Sequence, residues 1–350
     1  MKFLKNIFLL LLAVIIIAAI YLATLDGSYD IKRSRMIEAD QIVVFNELND
    51  YKNWEEWGPW FEKDSTIRVV YSDNTIGTGG AYSWTSDIEG GGSMKTLAVR
   101  EPERLDQEIV FETPFGNMMS DVYWMIKPTD KGTELTWGIK GEMPFMTRFM
   151  ADGMDEQLGP MEERGLELFD QNIRKKLEKF SIDSVGVVDY SGGFYLYLST
   201  SSKIESMDKK LKPMMIEIEK YIEENRIRVT GSPFTIYHNF DELNGTTMFS
   251  IGYPIAERIV TVGSDILTGY FERGTYFKTI LTGSYENSKH AWEKTIFDAS
   301  SLKEYTFLDE DESFEIYVNN PDNTPNPAEL ITEIYVPVKK IKVLKTNELP

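Results

Sequence analysis

"SFEIYVNNP", residues 313–321, has a counterpart eighty residues earlier, "PFTIYHNFD" at 233–241, and this pair decides how the second half of the chain folds. Phe234 aligns with Phe314, Ile236 with Ile316 and Tyr237 with Tyr317. Further along, "MFSIGYPI" (248–255) aligns with "ITEIYVPV" (331–338) through Ile251 and Ile334, and Pro254 and Pro337. Upstream, "FYLYLST" precedes a helical stretch at about 204–224, as "YFKTILTG" precedes one at about 284–299. Several collinear matches at one spacing indicate an internal repeat, about 185–260 and 265–340, each half strand–helix–strand–strand. Two such halves are expected to join into one sheet, with helices on one face and a cleft on the other.

One position breaks the match: Thr235 stands where the second half has Glu315. Side chains alternate along a strand, so Phe314 and Ile316 face one way, and Glu315 and Tyr317 the other. The expectation is that the apolar pair meets the helices, while Glu315 and Tyr317 face the cleft opposite Thr235 and Tyr237. A lone acid between apolar neighbours is costly unless something pairs with it. Glu315 is therefore either an edge acid turned to solvent, a catalytic group or a counter-charge for a ligand. Tyr237, Tyr317, Tyr335 and Trp292 are candidates to line the same site, with ordinary core packing as the alternative for aromatic residues.

Residues 30–180 read differently. "SRMIEADQIVVFNELND" begins as a strand that breaks at the Asn-Asp pair, and "YKNWEEWGPWFEKD" follows as a short helical turn closed by Gly58 and Pro59. Strand-like stretches run on to "TELTWGIKG", with "TDKG" as a hairpin turn. Met154, Leu158, Met161, Gly165, Phe169, Ile173, Leu177 and Phe180 then recur at steps of three and four, one apolar face of a long helix that Pro160 kinks or breaks.

Composition narrows the function classes. A net charge of −19 opposes binding to a phosphate backbone, so nucleic acid is not an expected partner. The absence of cysteine excludes disulfides and thiolate chemistry, and His238 and His290 alone do not make a histidine metal centre. No metal and no cofactor is expected. "GTGG" and "GGGS" lack the Lys-Ser/Thr of a phosphate loop, "DEDES" lacks the spacing of a calcium loop, and neither histidine has a serine partner for a hydrolase triad.

The first segment is "NIFLLLLAVIIIAAIYLATL", residues 6–25, an uncharged apolar run long enough to span a bilayer. It lacks a good cleavage site, so an uncleaved single-pass anchor is favoured over a removed signal. Lys2 and Lys5 place the N-terminus inside and the body on the extracytoplasmic, periplasmic side, although Lys32, Arg33 and Arg35 weaken the bias.

Two resemblances add to this reading. "WEEWGPW", "GTGGAYSWTSD", "TELTWGIKG" and "GPMEERGLELFDQNIRKKLE" resemble the SRPBCC superfamily of polyketide-cyclase and START-like domains. That resemblance implies a helix-grip fold with an apolar ligand cavity, for which Trp57, Trp60, Trp84, Trp124 and Trp137 are candidate lining. For the tryptophans at 54, 57 and 60, plugging the core is the competing reading. "ILTGSYENSKHAWEKT", "SFEIYVNNP" and "TEIYVPV" resemble the GyrI-like effector-binding domains. That resemblance implies small-molecule binding and assigns Glu315 the role of counter-charge to cationic, often aromatic ligands. The DNA-binding helices of the activators in that family have no counterpart here.

The expected fold class is thus α+β. An anchor (1–29) is followed by a helix-grip antiparallel sheet domain (30–182) and a duplicated strand–helix–strand–strand domain (185–345). The expected function is membrane-anchored small-molecule binding, an apolar ligand in the first domain and a cationic or amphipathic aromatic one in the second. The alternative is a hydrolase using Glu315 and Tyr317 as base and orienting hydroxyl.

Overall fold

The computed structural model describes residues 2–88, 90–113, 116–241, 243–261 and 263–341, and the chain divides into two compact units, Met1–Lys176 and Leu177–Pro350. The first unit opens with α1 (Lys2–Thr24), an apolar helix whose hydrophobic side chains are exposed along its length. There follow β1 (Ser28–Ile37), α2 (Gln41–Asn49), a 3-10 turn (Tyr51–Glu56) and α3 (Pro59–Lys63). Next come β2 (Arg68–Tyr71), β3 (Ala81–Thr85), β4 (Gly92–Arg100), β5 (Arg104–Thr113), β6 (Gly116–Thr129) and β7 (Gly132–Glu142). A 3-10 segment (Phe145–Gly153) leads into α4 (Met154–Leu177). The seven strands form one antiparallel sheet in the order β1-β7-β6-β5-β4-β3-β2, and "TDKG" makes the β6–β7 hairpin.

Several local expectations are corrected. "QIVVFNELN" is the helix α2, not the end of a strand: Asp40 Oδ1 accepts the Ile42 N–H at 3.0 Å, and Val44, Phe45 and Leu48 turn one buried face inward. An N-cap followed by apolar residues at steps of three and four outweighs the β-branched run Ile42–Val44. Gly58 closes the 3-10 turn, its N–H bonding the Trp54 carbonyl at 2.8 Å, but Pro59 opens α3 instead, in the first helical position, where its missing N–H costs nothing. Pro160 does not break α4, which runs through it with that residue exposed, and Phe180 lies beyond the helix and is exposed.

α4 lies on the sheet by one face, with Leu166, Phe169 and Ile173 buried. Gly165 permits the closest approach, since a Cβ there would collide with the Trp137 ring and sit 3.2 Å from Pro59 Cγ. Ion pairs fasten its flanks: Arg35 and Arg174 both reach Asp170, and Lys176 Nζ lies 2.8 Å from Glu47. Beneath it Trp54, Trp57, Trp124 and Trp137 are all fully buried. Trp124 and Trp137 stack at 4.7 Å and Trp57 meets Phe169 edge-on at 5.1 Å. A buried polar chain runs from Trp124 Nε1–H to Gln107 (2.9 Å), and from Gln107 Nε2 to the Tyr51 hydroxyl (2.9 Å), which pairs with Thr96.

In the second unit β8 (Ser181–Tyr190) starts ahead of the boundary expected at 182–185 and belongs wholly to the second sheet. It is followed by β9 (Gly193–Lys203), α5 (Asp208–Glu224), β10 (Phe234–Asp241) and β11 (Thr246–Pro254). Then come β12 (Leu267–Phe271), β13 (Gly274–Thr282), α6 (Ser288–Ser300), β14 (Tyr305–Phe307), β15 (Ser313–Tyr317) and β16 (Ile331–Lys340). The sheet runs β12-β9-β11-β10-β15-β16-β13-β8, with β14 on β16. β9–α5–β10–β11 fills one half and β13–α6–β15–β16 the other, meeting at the β10–β15 ladder. Ile218 of α5 packs on Leu196, Phe249 and Ile251, and Ala291 of α6 on Leu281 and Ile334, so both helices cover the same face.

Trp124 carries both packing and polar terms in the first unit. Trp124→Ala is expected to lower unfolding free energy by about 3–5 kcal/mol, as for other large-to-small core changes. Urea denaturation followed by tryptophan emission checks this, since six of the seven tryptophans lie in the first unit.

Candidate functional site

The middle of the β10–β15 ladder pairs Thr235 directly with Glu315, flanked by Phe234 with Ile316 and Ile236 with Phe314. Across the next strands, Glu315 lies opposite Ile334 and Thr235 opposite Ile251, both of which pack under the helices. Glu315 therefore projects to the helix-bearing face. The expectation that the apolar pair meets the helices is reversed: Phe314 and Phe234 cluster with Phe271, Tyr276 and Tyr335 on the other face. Alternation separates the two sets, but the residues of β9, β11, β13 and β16 decide which set the helices cover.

Glu315 is 4% exposed and has three hydrogen-bond donors around it. Its Oε1 accepts from the hydroxyls of Tyr317 (2.6 Å) and Tyr237 (2.8 Å), and its Oε2 from Trp292 Nε1–H (2.9 Å). Thr235 pairs with the Tyr317 hydroxyl at 2.8 Å and so supports one of the donors to Glu315. Trp292 stands edge-on to Tyr237 at 5.2 Å, and Tyr285 to Tyr317 at 5.6 Å. The result is a buried carboxyl beside the buried ring of Tyr317 and the half-buried rings of Tyr237, Trp292 and Tyr285.

Burial raises the Glu315 pKa above its ordinary value, while the bonds from Tyr317, Trp292 and Tyr237 oppose the rise and the charge of Asp208 on α5 adds to it. The phenols of Tyr237 and Tyr317 are pushed well up, by burial first and by the neighbouring carboxylate second. All three partners of the carboxylate are neutral donors. About four lone-pair sites are available to a carboxylate, so one acceptor direction is left beside three donors.

Of the predicted site residues, Glu315, Tyr317, Tyr237 and Trp292 meet. Tyr335 does not: it stacks on Phe314 at 4.6 Å on the opposite face, and its hydroxyl donates to Glu333. Tyr285 and Asp208 escaped the sequence reading. Tyr285 lies inside "ILTGSYENSKHAWEKT" and could have been found there, whereas nothing local to Asp208 marks it.

In the first unit Trp57, Trp124 and Trp137 pack ring against ring, and Trp60 is half-buried at their edge, 6.3 Å from Trp137. Trp84 sits apart on β3 against Tyr82 and Phe111. The same interior holds polar atoms with no hydrogen-bond partner: both oxygens of Glu162, which is fully buried on α4, and the indole N–H groups of Trp57 and Trp137. Glu162 also lay outside the sequence reading, because the 3.6-residue pattern there is carried by its neighbours.

Residues 195–339 match the family profile described as the GyrI-like small molecule binding domain, so the second unit carries a domain of that family. Solved structures alike to the chain include protein MLL2253 from Mesorhizobium loti, at 20% identity over 42% of this chain and 97% of that one, with a TM-score of 0.32. The EcmrR C-terminal domain is 17% identical over 46% of this chain and 99% of its own, with a TM-score of 0.39. EcmrR in complex with DNA is 15% identical over 62% of this chain and 89% of its own, at 0.40. At these identities and scores the likenesses carry no argument about function. No curated protein matches the chain.

Glu162 sets a pH dependence on the first unit. Burial pushes its carboxyl up to about 8; Arg33 opposes the rise, and Asp155, Asp30 and Glu163 reinforce it. The folded unit keeps this proton where the unfolded chain has released it. The contribution is thus full below the ordinary carboxylate range of about 4.3 and is lost as pH rises through the folded value. Glu162→Gln should match the parent below about pH 4 and be the more stable above about pH 8. Urea midpoints across that range, read from tryptophan emission, test the sign.

Proposed function

We propose that the protein is a membrane-anchored small-molecule binding protein whose second unit takes a cationic aromatic ligand, with Glu315 as its counter-charge. The observation that carries this is a fully enclosed carboxyl whose hydrogen-bond partners are all neutral. A buried acid without a cation is an expensive arrangement. A delocalised cation entering over the rings of Tyr237, Trp292, Tyr285 and Tyr317 supplies the missing charge and gains from the aromatic faces as well. Asp208 adds negative potential. The pairing of Thr235 with Glu315 supports reading the second unit as a duplication with one acid retained, so that it offers a single charged site.

For the first unit, the sheet under a long helix supports the SRPBCC resemblance, and the apolar-ligand reading rests on that resemblance. The length and apolarity of α1 support the anchor, with the body on the extracytoplasmic side. The separate sheets and cores support independent folding, and each unit expressed alone should give a cooperative urea transition. A unit that folds only when joined to the other refutes independence.

Glu315→Gln tests the counter-charge directly. The amide keeps the shape, still accepts from Trp292 and can donate to a rotated tyrosine hydroxyl, so the fold is retained. Affinity for a permanently charged aromatic cation, such as an N-alkylated acridinium, should fall by about 1.5–3 kcal/mol, or roughly ten- to a hundred-fold. The uncharged parent compound should bind both proteins alike. In the parent protein, cation affinity should rise with pH through the Glu315 titration, because only the ionised form is the counter-charge. Unchanged cation binding by the variant refutes the assignment. A hydrolytic activity lost in the variant without loss of binding makes Glu315 a catalytic base instead.

A further inference from the structure

We infer that the 3-10 segment Phe145–Gly153 is a second membrane contact, lying in the headgroup layer beside the end of α1 with Phe145, Met146, Phe149 and Met150 turned into the lipid. This rests on the reading of α1 as a bilayer span. Phe145, Met146, Phe149 and Met150 are exposed at 43%, 72%, 60% and 37%, a concentration of large apolar side chains within six residues. Scattered exposed hydrophobics need no explanation, but a contiguous patch of them marks a contact.

The segment and the residues leading into it are tied to the first unit while these side chains face out. Met143 N–H bonds to the Gly27 carbonyl at 2.8 Å, and Gly27 lacks the Cβ that would meet Arg148 Cγ at 2.8 Å. Arg148 pairs with Glu142 at 3.1 Å and lies over the Phe145 ring. Ala151, with Met154 just beyond the segment, turns inward onto Ile31 and Met143. The backbone is thus built into the first unit, and its outward side chains are left for another medium.

Continuity with α1 says which medium. The helix ends at Thr24 and β1 begins at Ser28, so Gly27, to which Met143 just ahead of the segment is bonded, lies within one turn of the end of the helix. α1 also packs against the segment itself. Its 23 residues span roughly 34 Å at 1.5 Å per residue, against about 30 Å of hydrocarbon. When α1 crosses the bilayer, its end therefore lies at the interface and holds Phe145–Gly153 at headgroup depth. Arg148, Thr147 and Asp152 are interspersed with the apolar side chains, as suits a segment lying at the surface rather than crossing it.

The chain has no cysteine, so single introduced cysteines can be labelled uniquely with a nitrobenzoxadiazole dye. The full chain would carry the label at Phe149→Cys, at Leu12→Cys within α1, or at Val70→Cys on β2, each an exposed position. Each is reconstituted in phosphatidylcholine nanodiscs doped with lipids carrying a doxyl quencher near the headgroup or deep in the acyl chain. The Phe149 label should be quenched several-fold more by the shallow quencher, the Leu12 label more by the deep one, and the Val70 label by neither. A Phe149 label that behaves like Val70 while Leu12 is quenched overturns the inference and leaves the anchor standing. A blue-shifted but unquenched Phe149 label means protein covers the patch, and overturns it too. A Leu12 label quenched by neither lipid removes the anchor, and this inference with it.

Discussion

Glu315 is buried at the centre of a nine-stranded sheet with three neutral donors turned towards it, and much of the second unit follows from keeping it there. Tyr317 comes from its own strand, Tyr237 from the neighbouring strand and Trp292 from a helix. Strand register, helix placement and aromatic packing must therefore all be right at once for the carboxyl to be satisfied. Hydrogen bonds to a charged group are stronger than those between neutral groups, yet they share out the charge without cancelling it.

The first unit solves a different packing problem. Its interior is filled by indoles in mutual contact and by the α4 face, with Gly165 absent of side chain where Trp137 presses closest. Two of the four buried indoles, Trp54 and Trp124, donate to Leu48 and Gln107. Those of Trp57 and Trp137, like the carboxyl of Glu162, have no partner. Such groups are rare in native interiors, and a carboxyl that stays neutral to about pH 8 is the least costly form Glu162 can take there.

Charge shapes the partners of both units. The chain is acidic overall, −19 in sum. Such a field favours approach by cations and disfavours phosphate-rich partners. The exposed apolar surface of α1 and of Phe145–Gly153 favours neither and is suited to hydrocarbon.

Some of this was legible in the residues alone. The apolar run of α1, the three-and-four spacing of α4 and the "TDKG" hairpin are local or periodic signals, and each reappears as an element. Thr235 opposite Glu315 was likewise implied once "PFTIYHNFD" and "SFEIYVNNP" were aligned. What could not be read was any choice between two equivalent outcomes. Alternation puts Glu315 and Phe314 on opposite faces but does not say which face the helices cover, because that depends on side chains of β9, β11, β13 and β16. The same ambiguity placed Tyr335 with Glu315, when the sheet holds them apart. α2 was hidden by its β-branched residues until Asp40 capped it, and Asp208, Tyr285 and Glu162 gain their significance only from neighbours far away in sequence. Periodicity is a property of one segment, whereas burial and charge pairing belong to the assembled fold.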